Sequence, residues 1–253
     1  MKSDVSVVVA WHARKAKPLA NIIFDAEPCF DLSLFDYSGS MTEGQTMLLS
    51  GQQWTYSPRI HSFSTEGKGD ILRRIADDSG ATSYDYIGII DDDILARVSD
   101  LNKAIRIGTR ENLASFQPSL AKCSYYSHSF TLQHPGSILR RVAWTEIMMP
   151  FIKRDLFRGA RLFFEHSISS WGLDCYAFPM IALINNIGTY HAVIDASIAA
   201  HIRPITSGNR VYRNGLTAHQ EMTRLKTTCQ AYLANRGIDW KQDNQLRELF
   251  QFE

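Results

Sequence analysis

Short apolar runs rich in β-branched residues alternate along the chain with amphipathic stretches. The run Val5-Ser6-Val7-Val8-Val9-Ala10-Trp11 predicts a first strand. Asp31 to Phe35, ending at Asp36, predicts a second, and Arg59 to Phe63 a third. From Gly67 to Asp78 the period changes, with Ile71, Leu72 and Ile75 on one helical face. Tyr84 to Ile90 is the clearest strand and runs directly into Asp91-Asp92-Asp93. Val98, Leu101, Ala104 and Ile105 then carry helical spacing, with Ser99 as the N-cap. Leu113 to Gln117 predicts a strand stopped by Pro118, and Ser119 to Gly136 is polar, aromatic and without period. Val142 to Met149 reads as a strand, Lys153 to Phe164 as a helix, and Ile181 to Val193 as a helix end and a strand. After Pro204, Ser207-Gly208-Asn209-Arg210 reads as a loop, and Thr217 to Asn235 as an amphipathic helix stopped by Gly237. This alternation predicts an α/β fold with a mostly parallel central sheet.

With 253 residues, 45% of them hydrophobic, the chain is long enough to bury a full core in one domain. A single domain over 1–253 is expected, with a nucleotide-binding half at 1–95. An acceptor and catalytic half follows at 96–206, and a C-terminal loop and helix at 207–253. Lys and Arg number 27 against 26 Asp and Glu, a balance that argues against a nucleic-acid backbone binder. Cys29, Cys123, Cys175 and Cys229 lie far apart, without zinc or redox spacing, and read as reduced thiols. Val5 to Trp11 is too short for a membrane span and no cleavage site follows it. The expectation is a cytoplasmic protein with no transmembrane segment, peripheral membrane association staying open.

The aspartate triplet changes the picture. Three adjacent carboxylates repel one another, and a divalent cation removes that penalty. The carboxyl end of a strand is also where open α/β sheets bind ligands. In extended geometry Asp91 and Asp93 point one way and Asp92 the other, so Asp91 would touch a nucleotide and Asp93 a metal from one side. The bland alternative is a solvated turn or helix cap.

Tyr86 to Asp93 resembles the strand and DxD motif of GT-A glycosyltransferases. Downstream come Trp144-Thr145-Glu146-Ile147-Met148-Met149-Pro150, Trp171-Gly172-Leu173-Asp174, Val193-Ile194-Asp195 and His201. This ordered set, over about residues 84 to 204, is similar to the domain of unknown function 707, a family of glycosyltransferase type from plants and bacteria. The triplet departs from the Asp-Glu-Asp form of plant members. Trp171-Gly172-Leu173-Asp174 is similar to the element that carries the catalytic base in several inverting GT-A enzymes.

The resemblance implies a GT-A-like fold and transfer of a sugar from a nucleotide-sugar donor to a glycan, lipid-linked glycan or other hydroxyl acceptor. It implies Mn²⁺ or Mg²⁺ held by Asp91, Asp93 and His201, with Asp91 and Asp92 on the nucleotide. Asp174 would be the catalytic base, a helix-cap role being its alternative. Trp144, Glu146, Trp171 and Gly172 are expected on the acceptor and substrate side, Trp171 as a stacking ring. Lys68 in Gly67-Lys68-Gly69-Asp70 has flexible glycines and a helix start around it, which suits a phosphate. Asp36 is a candidate for the nucleoside, and Trp11 and His12 for the space under the base. Arg140, Arg141 and Arg203 are candidate anion ligands. Two other functions fit the same residues: a nucleotidyltransferase, which lacks a Gly-rich lysine loop after the first strand, and a carbohydrate-binding protein without chemistry.

Overall fold

The structure is a computed structural model, and it describes residues 4–51, 55–78, 80, 83–205 and 208–251. The strands are β1 (Val5–Trp11), β2 (Ile22–Ile23), β3 (Asp31–Asp36), β4 (Leu49–Ser50), β5 (Thr55–Tyr56) and β6 (Arg59–Ser62). They continue as β7 (Tyr86–Ile90), β8 (Ile94–Arg97), β9 (Ser115–Leu120), β10 (Arg140–Val142), β11 (Phe151–Lys153) and β12 (His191–His201). The helices are α1 (Lys68–Asp77), α2 (Val98–Arg110), α3 (Arg154–Gly159), α4 (Phe178–Ile184), α5 (Ala218–Ala234) and α6 (Asn244–Gln251).

One twisted sheet runs β2-β8-β12-β9-β11-β7-β1-β3-β6, with β10 on β12. β1 is parallel to both β3 and β7, and β3 is parallel to β6. β1 reads as a continuous apolar run because both of its faces are covered. Val8 and Ala10 pack with Ile71, Leu72 and Ile75 of α1 on one side. Val5, Val7, Val9 and Trp11 pack with Leu101, Ala104 and Ile105 of α2 on the other. Register then sets the functional edge. Trp11 pairs with Asp36 and Val9 with Ile90, so β1, β3 and β7 end close together and deliver His12, Tyr37 and Asp91 to one rim.

Several elements differ from the sequence pattern for local reasons. Arg97, not Ser99, is the N-cap of α2, and Ser99 Oγ donates instead to Asp25 Oδ2 at 2.7 Å. Pro118 does not stop β9. Its antiparallel neighbour β11 pairs only with Ser115 and Phe116, so a residue without an N–H is tolerated further along. Of the segment Val142 to Met149, only Val142 lies in a strand. The following residues cross the end of β7, where the Met148 and Pro150 carbonyls accept from Asp91 N and Ile89 N. The helix expected at Lys153 to Phe164 is two pieces, α3 and a 3-10 stretch, Arg161–His166. Between them, a Cβ on Gly159 would lie 2.9 Å from Ile181 Cγ2. α5 matches its pattern, with Thr217 and Gln220 forming a reciprocal capping box and Gly237 at φ +70 beyond its end. Of the loop Ser207 to Arg210, Ser207 lies outside the described residues. No described helix is long and apolar enough to cross a membrane.

Candidate active site at the carboxyl edge

β7 stops at Ile90 and the chain turns, with Ile94 N donating to Asp91 O at 3.2 Å. The three carboxylates take different first partners. Asp91 Oδ1 receives Lys68 Nζ at 2.6 Å. Asp92 takes the Tyr37 hydroxyl at 2.8 Å and Arg203 at 3.0 Å. Asp93 Oδ2 faces His201 Nε2 at 3.3 Å.

Asp93 and His201 are the pair with ligand chemistry. His201 Nδ1 lies 3.1 Å from the Tyr125 carbonyl. A carbonyl can only accept, so Nδ1 carries the proton and Nε2 presents its lone pair in the neutral ring. Asp93 holds the imidazole pKa above its ordinary value, and His201 in turn helps hold the Asp93 carboxyl below its own. Among the described residues no three His, Cys, Asp or Glu side chains cluster as a metal cage. The expected triad is therefore reduced to a carboxylate and an imidazole, because Asp91 is taken by Lys68. One oxygen and one nitrogen ligand suit Mn²⁺ where phosphate oxygens complete the sphere.

On the nucleotide side, Lys68 is not a free phosphate ligand. Its side chain is 10% exposed, and its ammonium bridges Asp91 to the Met148 carbonyl. The flanking glycines have a packing reason. A Cβ on Gly67 would lie 2.2 Å from the Ile168 carbonyl oxygen, and one on Gly69 1.8 Å from that of Ser167. Asp36 is fully buried, and its two oxygens collect Ala13 N, Ser38 N, Ser40 N, Met41 N and three serine hydroxyls. These bonds hold its pKa well below the usual carboxylate range and fill every lone pair, so Asp36 organises the loop after β3. Trp11 is 3% exposed and donates to Ala16 O at 3.2 Å, which shapes the turn carrying His12. The His12 ring stands edge-on to Tyr37, and its buried Nδ1 has no hydrogen-bond partner.

Facing this rim is the loop 167–174. Glu221, fully buried in the first turn of α5, accepts Ile168 N at 3.0 Å and Ser169 N at 2.8 Å. Gly69 N donates to the Ile168 carbonyl at 2.9 Å, so α1 and α5 grip the loop from two sides. Gly172 at φ +88 then starts a π-helical turn, Leu173–Ala177. A Cβ there would meet Leu225 at 3.1 Å. The turn presents Asp174, whose Oδ1 takes Cys175 N at 2.9 Å and Oδ2 takes Ile147 N at 3.3 Å. Loss of solvent raises the Asp174 pKa to about 6, against those two N–H groups.

Glu146 shares this space. It is 5% exposed, its Oε2 has no partner, and burial with the nearby Asp174 charge pushes its pKa up to about 7. The charges of His201 and Asp91 also reach it, so Glu146 lies within electrostatic range of Asp174 and of the carboxyl edge. The two tryptophans behave differently from expectation. Trp144 is 3% exposed, with its ring enclosed edge-on by His128 and Phe130, so it belongs to the core. Trp171 is partly buried, its ring edge taken by His219 and by Gly208. Arg140 is committed to buried Asp195 at 2.7 Å and lies on β10, and Arg141 stacks over Tyr190. Tyr37 and Glu221, which position the site, carry no motif in the sequence. Their roles depend on partners at Asp92 and Ile168, remote in sequence. The two larger cavities, about 750 and about 670 Å³, open at the amino edge of the sheet and beside α6, and neither is lined by these residues.

A mostly parallel sheet with acidic residues and loops gathered at its carboxyl edge defines an α/β, GT-A-like fold. Solved glycosyltransferase structures bear this out. The structure of residues 1–349 of S. aureus TarS matches with a TM-score of 0.57 at 11% identity, covering 99% of this chain and 71% of that one. The same protein in complex with UDP-GlcNAc matches with a TM-score of 0.57 at 11% identity, covering 100% of this chain and 74% of that one. GalNAc-T7 with UDP, GalNAc and Mn²⁺ matches with a TM-score of 0.54 at 13% identity, covering 98% of this chain and 54% of that one. No family model and no curated relative matches the sequence, so the resemblance to the domain of unknown function 707 rests on its motifs.

Proposed function

We propose that this chain is a metal-dependent, inverting glycosyltransferase that moves a sugar from a nucleotide-sugar donor to a hydroxyl acceptor. The observation that carries this reading is the Asp93–His201 pair at the carboxyl edge of a GT-A-like sheet, with Asp174 within electrostatic range of Lys68, the partner of Asp91. Asp93 and His201 would hold Mn²⁺ or Mg²⁺, and the bound ion supplies neutralisation of the leaving diphosphate. The unpaired Nδ1 of His12 fits a polar atom of the nucleoside. Asp174 accepts the acceptor hydroxyl's proton as that oxygen attacks the anomeric carbon and the bond to the diphosphate oxygen breaks. With a pKa near 6, Asp174 is mostly ionised at neutral pH and still basic enough to share a proton in the transition state. One direct displacement inverts the anomeric centre. The 11–13% identity to the solved structures supports the fold, and the chemistry rests on these side chains.

The test is a screen of common nucleoside diphosphates by thermal shift with and without Mn²⁺, followed by donor hydrolysis. A Mn²⁺-dependent rise in Tm is expected. If no nucleotide raises Tm under either condition, the transferase reading fails and a carbohydrate-binding protein takes its place.

A further inference from the structure

Glu146 is an expensive residue for this core to keep. A buried carboxyl oxygen without a donor is destabilising, and more so when ionised. A nearby like charge adds to the penalty. Folding gains nothing from that oxygen, because Ser127 already bonds the carboxyl and the Glu146 backbone N–H already donates to Gln117 Oε1 at 2.5 Å. An unpaired buried acceptor of this kind is explained when a ligand brings the missing hydrogen.

Its surroundings say which part of a ligand. The peptide after it, Ile147 N–H, donates to Asp174 Oδ2, so Glu146 and Asp174 are fixed as one unit. Glu146 also feels His201 and Asp91, on the diphosphate side. A group between the diphosphate and the base is the sugar in transit. We infer that Glu146 binds a hydroxyl of the transferred sugar through its buried, unpaired Oε2, and so selects the donor by the sugar it carries. This rests on the glycosyltransferase reading above and adds a specificity residue to it. The aromatic side chains nearest in sequence offer no such selection, since Trp144 is locked in the core.

The test compares UDP with UDP-glucose, UDP-galactose and UDP-GlcNAc, by calorimetry with Mn²⁺, on the unmodified chain and on Glu146→Gln and Glu146→Asp. Glu146→Gln is expected to weaken the best UDP-sugar about tenfold or more while UDP affinity stays within about twofold. Its Tm should match or exceed that of the unmodified chain, since an unpaired buried charge has gone. Glu146→Asp, which keeps the charge but pulls it back by one methylene, should lose sugar affinity in the same selective way and supplies the answer if the Gln variant does not fold. Equal losses for UDP and UDP-sugar overturn the inference, as does a lowered Tm with unchanged sugar preference. In both cases the transferase reading stands. An unmodified chain that binds neither UDP nor any UDP-sugar overturns both.

Discussion

Lys68 Nζ and Asp91 Oδ1 lie 2.6 Å apart and join the start of α1 to the end of β7. The pair fixes the floor of the pocket. Removing the ammonium leaves a carboxylate whose pKa is already raised to about 6 by burial. Lys68→Met should therefore lower stability by about 3 kcal/mol, as measured by urea unfolding at pH 7. The double variant Lys68→Met/Asp91→Leu should recover much of that loss, because it buries no unpaired charge. If the double variant is as unstable as the sum of its parts, the pair is not the cause.

His201 gives the metal reading a pH signature. Asp93 raises its pKa, so below that value a proton occupies the nitrogen a cation needs. The Mn²⁺-dependent thermal shift with UDP should grow as pH rises from about 6 to about 8, and His201→Ala should abolish it. A shift that is flat across this range would show that the imidazole does not bind the ion.

Asp174 separates binding from chemistry. Asp174→Asn should keep its Tm and its donor affinity while turnover falls by roughly a hundredfold or more. In the unmodified enzyme kcat/KM should decline as pH falls through about 6, where this carboxyl gains its proton. The product's anomeric configuration should be inverted when checked by NMR. Retention would rule out the direct displacement.

Gly69 tests why the glycines flank Lys68. Its Cβ would fall 1.8 Å from a backbone oxygen, which a rotamer change cannot relieve. Gly69→Ala should cost about 3 kcal/mol and shift the loop that carries Asp174, so that Tm and turnover fall together. A variant with unchanged Tm would restore the view of a flexible phosphate loop.

The sequence by itself determined the strands β1, β3 and β7, helices α1 and α5, and the edge at which the aspartates gather. Those features are periodic and local: apolar runs, a capping box, and carboxylates set directly after a strand. It also offered Asp93, His201 and Asp174 as candidates through ordered motifs. What it left undecided is which charge meets which. Lys68, 23 residues away, claims Asp91, while His201 meets Asp93. Asp36 is absorbed by three residues of its own loop, Ser38, Ser40 and Met41, and by two from neighbouring segments, Ala13 and Ser62. Trp144 and Glu146 sit two positions apart, yet one ring fills the core while one carboxyl keeps a buried, unpaired oxygen near Asp174. Pairing of charges and closure of rings depend on side-chain directions and on contacts between distant segments, and only the folded chain sets those.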